Sequence, residues 1–188
     1  MRLITLLGIV MVLPPVMLGL GGCGDHRQSE GTASAPADEP SAAIAVIAPI
    51  AGFTGAGTVK FNEEAQGLHV VADVTGFHPG KHGIHIHEYG DLSAVDLSGL
   101  GSHFNPTGQE HGAPGDHPHH AGDLGNLIIG DDGQGHLDEV VPGLSLSGPT
   151  SVIGRSVVIH ENEDDLTSQP AGNSGKRIAA AVIGIAKP

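Results

Sequence analysis

From Ile44 to Ala186 the chain is a succession of short apolar runs, each ended by turn residues. IAVIAPI (44–50), GTVKFNE (57–63), GLHVVADVTG (67–76) and HGIHIHE (82–88) make up the first half. GDLGNLIIG (122–130), GHLDEVV (135–141), SVIGRSVVIH (151–160) and RIAAAVIGIA (177–186) make up the second. Asn62-Glu63-Glu64, His78-Pro79-Gly80 and Asp131-Asp132-Gly133 carry the turn chemistry between them. Eight runs of strand length with few helix signals predict an all-β fold, an eight-stranded Greek-key β-barrel or sandwich. A single helical turn is expected near Glu163–Leu166. Two intervals, Gly90–Gly122 and Glu161–Lys176, are too long for hairpin turns. Ordered loops of that length in a compact domain are usually functional.

The opening of the chain has a different pattern. Arg2 precedes an almost wholly apolar run, Leu3 to Leu20, which Pro14-Pro15 interrupts. Residues 1–22 therefore read as a cleaved export signal rather than a permanent membrane span. Leu20-Gly21-Gly22-Cys23 resembles a bacterial lipoprotein cleavage site, in which Cys23 becomes the lipidated first residue. Up to residue 41 the chain is polar and rich in Pro, Ser and Ala, a tether without periodicity. Residues 42–188 form the one globular domain, and the expected location is the cell envelope, periplasm or outer surface, with the lipid in a bacterial membrane.

Composition narrows the function. Twenty-one Asp and Glu against eight Lys and Arg give a net charge of −13, which argues against nucleic acid as a partner. With no Trp, one Tyr and four Phe, the core has to be built from Val, Ile, Leu and Ala.

Most of the thirteen histidines fall between 82 and 123. In a strand, His85-Ile86-His87 turns both histidines to one face, about 7 Å apart, and Ile86 to the other. His103, His111, His120 and Asp123 follow, and His160 stands apart at the end of a later run. A neutral imidazole binds Zn²⁺ or Cu²⁺ without first losing a proton near neutral pH, so a metal centre is the chemistry this set points to.

GIHIHEYGD, GSHFNP, the His120–Asn126 segment HAGDLGN, IGRSVVIHENEDDL, GNSGKR and AAVIGIA resemble, in order and spacing, signatures of the copper,zinc superoxide dismutases over about residues 44 to 187. The resemblance implies copper bound by His85, His87, His103 and His160, and zinc bound by His103, His111, His120 and Asp123. His103 would bridge the two ions, one copper and one zinc per chain. His117 and His119 leave the register open, and His120 is taken because it satisfies His-x-x-Asp. Asp164 matches a residue linking a copper-binding and a zinc-binding histidine, and His82 a position just outside the ligands. Arg177 matches the arginine beside the open copper face, where it would attract superoxide. Catalysis is assigned to His103 and Arg177.

Two departures accompany the resemblance. The family's disulfide would join positions 97 and 180, which are Leu97 and Ala180, and Cys23 is the chain's only cysteine. Packing of Leu97 on Ala180 is expected to compensate. The Glu161–Lys176 loop is also shorter than in the eukaryotic enzymes. Ile153-Gly154, Gly184-Ile185 and Tyr89-Gly90 resemble homodimer interface segments.

The function implied is dismutation of superoxide to dioxygen and hydrogen peroxide, protecting the cell envelope. An alternative from the same residues is a copper/zinc-sequestering lipoprotein with little turnover, to which the spare His117 and His119 lend themselves. An inert adhesion module would leave the spaced histidines without a role.

Overall fold

The computed structural model describes residues 39–50 and 52–187. The expected signal segment, Cys23 and the tether up to residue 38 lie outside the described residues.

Eight antiparallel strands close into a barrel. They are β1 (Ala42–Ile47), β2 (Ala56–Glu64), β3 (Gly67–Thr75), β4 (Gly80–His87), β5 (Asp123–Ile129), β6 (Gln134–Val141), β7 (Ser156–His160) and β8 (Arg177–Ile185). The order around the barrel is β1-β2-β3-β6-β5-β4-β7-β8, with crossovers that make it a Greek key. The expected all-β barrel is borne out.

Alternation builds the core. Val59 and Phe61 of β2, and Leu68, Val70, Ala72 and Val74 of β3, point inward and are buried, while Lys60, Asn62 and Asp73 between them face solvent. Ile84, Ile86, Val157 and Ile159 continue the core on β4 and β7. On these two strands, and at Ala180 of β8 beside them, the outward faces are buried as well. His85, His87, Ser156, Val158 and His160 lie under the two long loops. A sheet covered on both sides at one place has room for an ordered polar cluster in a low-dielectric setting, and the histidines occupy it.

Several boundaries differ from expectation. β1 starts earlier and ends at Ile47, and β7 starts only at Ser156 because residues 151–155 form a bridge and turn. No helix forms at Glu163–Leu166. Leu166 has φ 63, incompatible with a right-handed turn, and the Asp165 carboxylate accepts the N–H groups of Thr167 and Ser168 in place of helical carbonyls. Short 3-10 turns stand instead at Ser98–Leu100 and Gly148–Thr150.

Candidate metal centre

The structure brings His85, His87, His103 and His160 into one buried group and His103, His111, His120 and Asp123 into a second. Within each group the candidate ligand atoms lie within 4.8 Å of one another. His85 and His87 reach theirs from the outward face of β4, and His160 from a bulge at the end of β7. His103 is brought beside β4 by a bridge to His87, and its ring stacks on that of His85 with centroids 3.9 Å apart. His103 alone belongs to both groups.

The hydrogen bonds fix which nitrogen of each ring is left to bind. His85 donates from Nε2 to Asp164 Oδ2 at 2.7 Å, His87 from Nδ1 to the Gly101 carbonyl at 3.0 Å, and His160 from Nδ1 to the Gly175 carbonyl at 3.3 Å. Each ring thereby turns a lone pair toward the other two. His87 Nε2 and His160 Nε2 face each other at 3.4 Å, and His85 Nδ1 and His103 Nε2 are buried with no hydrogen-bond partner. Orphaned buried nitrogens are costly in a folded protein, so four imidazole nitrogens converging in this way fit a metal ion suited to nitrogen ligands.

The second group centres on Asp123. Its Oδ1 meets His103 Nδ1 at 2.7 Å and His120 Nδ1 at 3.2 Å, and its Oδ2 lies 3.1 Å from His111 Nδ1. Three imidazoles and one carboxylate fit tetrahedral Zn²⁺. Asp164 joins the two groups, since its second oxygen accepts from His111 Nε2 at 2.9 Å.

Burial is the dominant electrostatic cause. It pushes His85 down to about 4 despite the hydrogen bond to Asp164. Burial, with His103 alongside, takes His87 to about 2. Burial, with His85 alongside, takes His160 to about 3. His111 moves the other way: burial opposes, but hydrogen bonds to Asp123 and Asp164 outweigh it and lift the ring to about 9. Burial alone would raise Asp123 and Asp164, yet their histidine partners hold both well below the usual carboxylate range.

The other expected residues fall around these groups. His82 is buried, bonded through Nδ1 to the His160 carbonyl at 2.8 Å and through Nε2 to the His78 carbonyl at 3.0 Å. His117 is exposed and outside both groups, while His119 Nδ1 bonds the His120 carbonyl at 2.7 Å. Arg177 opens β8 and donates to the carbonyls of Leu97 and Gly101. It borders a cleft of about 470 Å³ shared with His87, His103, His120 and His160.

Two residues that sequence reasoning did not single out clamp the centre. Asn126 gives Nδ2–H to the Asp164 carbonyl and accepts the Asp164 N–H, at 2.9 and 2.8 Å. Gln169 does the same to His111, both bonds at 2.9 Å. Asn126 sits inside a recognisable motif, whereas nothing around Gln169 marks it. Gly172, at φ 62, passes so close that a Cβ there would collide with the Asp164 carboxylate and the His111 ring.

A family model described as copper/zinc superoxide dismutase matches residues 55–183. A crystal structure of the clock protein EA4 is similar at 42% identity and a TM-score of 0.75, covering 81% of this chain and 99% of that one. The matched stretch contains every residue of both histidine groups and Arg177, and the chain belongs to the copper/zinc superoxide dismutase family.

Proposed function

We propose that this chain dismutates superoxide, turning two superoxide anions and two protons into dioxygen and hydrogen peroxide. Copper held by His85, His87, His103 and His160 supplies the one-electron redox chemistry when bound. His103, His111, His120 and Asp123 would hold zinc, keeping the His103 ring fixed from its Nδ1 side. The observation that carries this reading is the single His103 ring with one nitrogen in each group, beside a cleft bordered by Arg177.

The chain's own residues then have definite tasks. Arg177 carries five N–H donors in a planar fork. The two carbonyl contacts engage only part of it, leaving donors and a permanent positive charge for a small anion. His103 Nε2, buried and without another hydrogen-bond partner, would hold a proton for delivery to the reduced anion whenever it is not bound to copper. Asp164 and Asp123 keep the rings in register. The covering loops exclude bulk water.

We further infer that the chain is exported, lipidated at Cys23 and held at a bacterial membrane, as its first 23 residues support. A homodimer is supported by exposed apolar Tyr89, Val182 and Ile185 in or beside the segments that resemble interface sequence.

The alternative, metal sequestration without turnover, gives the remaining donors and the charge of Arg177 at the cleft no task. The test is the dismutation rate of the chain loaded with copper and zinc, compared with the same copper in an unrelated histidine-rich peptide. A rate well above the peptide's is expected, and equal rates would leave sequestration as the better reading.

A further inference from the structure

Arg177 is held by a turn that is itself held by packing. The 3-10 turn Ser98–Leu100 is flanked by Leu97 and Gly101, and the carbonyls of those two flanking residues accept from two arms of the guanidinium. The Gly101 carbonyl also accepts Nδ1–H of His87. One five-residue stretch thus orients both the arginine at the cleft mouth and a histidine of the all-imidazole group.

Leu97 has φ 59 and ψ 20, a left-handed backbone conformation that leucine rarely adopts. In that conformation its side chain is 4% exposed and packs with Leu100, Val158 and Ala180, with Ile50 laid over them. This small core is separate from the barrel interior. It sits on the outward faces of β7 and β8, where Val158 and Ala180 pair directly. No cysteine lies among the described residues, so no covalent link ties the turn to β8.

We infer that Leu97 is a positioning residue for Arg177. Its side chain, seated on Leu100, Val158 and Ala180, fixes the carbonyls of Leu97 and Gly101, and those carbonyls fix the guanidinium at the cleft. Hydrogen bonds to a planar fork are directional, so a turn free to shift would carry the donors away from the anion. The device is apolar packing, and its geometry is indifferent to thiol chemistry. It rests on the reading of Arg177 as the anion-binding group.

The test uses the full chain loaded with copper and zinc and follows azide binding through the visible spectrum of the copper. Leu97→Gly relaxes the left-handed backbone while removing the plug, so it separates side-chain packing from backbone strain. Azide affinity should fall about tenfold, the scale of one lost hydrogen bond to a charged group, with one copper and one zinc retained. Leu97→Met, of similar volume, should restore it. Leu137→Ala, in the barrel core on β6, should lower the melting temperature with azide affinity unchanged, which a merely structural role for Leu97 would not distinguish from Leu97→Gly. Wild-type azide affinity in Leu97→Gly overturns the inference. Should that variant fail to fold, Val158→Ala opens the same small core from β7 and carries the same expectation and the same contrary result. Arg177→Ala keeps the two levels apart. If it leaves azide binding intact, the reading of Arg177 falls. If it weakens binding while the Leu97 variant does not, only the positioning role falls.

Discussion

Asp164 and the carbonyls of Gly101 and Gly175 decide which nitrogen of each histidine carries its proton. His85, His87 and His160, held at about 4, 2 and 3 by burial, are neutral throughout the physiological range. None of the three has to lose a proton for a metal to bind. His111 is the exception. Raised to about 9 by its two carboxylates, it holds an extra proton below that pH, and a metal at Nδ1 must displace it. Zinc affinity should therefore climb about tenfold per pH unit between 7 and 9 and then level off. Calorimetry in buffers of different ionisation enthalpy checks this, with about one proton expected per zinc at pH 7 from this ring. Zinc binding with no pH dependence over that interval would contradict the raised His111.

The loops, more than the strands, complete the centre. Gln169 reaches from the β7–β8 loop to both backbone groups of His111, and Asn126 reaches from β5 to both backbone groups of Asp164. Gln169→Ala should leave His111 chemically intact but loosely placed, and zinc affinity should drop by roughly ten- to a hundredfold, the range for outer partners of a ligand. Competition with a chelator measures it, and unchanged zinc affinity would make the clamp incidental. The strands were legible from alternation, because Val59-Lys60-Phe61 or Leu68-His69-Val70 declares an inside and an outside. The spacing from His85 to Asp123 likewise marked the residues that now lie together. What alternation could not reveal was the double burial of β4 and β7, which comes from loops folding back over them. It also missed the turn at Asp165–Ser168, where one carboxylate and the positive φ of Leu166 override helix formation. Gln169 was invisible because a side-chain clamp 58 residues from its target has no sequence period.

For the whole molecule, the net charge of −13 repels an anion, so encounter depends on a local field that reverses the global one. On the proposed function Arg177 would supply it at the cleft. At about 5 Å and an effective dielectric near 20, one unit charge interaction is worth roughly 3 kcal/mol before screening. Arg177→Glu should keep both metals and lower the dismutation rate sharply, and the gap from wild type should narrow as salt is added. A variant as fast as wild type at every ionic strength would leave Arg177 no part in attracting the anion. On the proposed function one ring, His103, couples the two metals of each chain. The coupling is read magnetically, with cobalt placed in the His103, His111, His120 and Asp123 group and copper in the other. Coupling should be present in the wild-type chain and absent in His103→Ala. Uncoupled metals in the wild type, or coupling that survives His103→Ala, would contradict it.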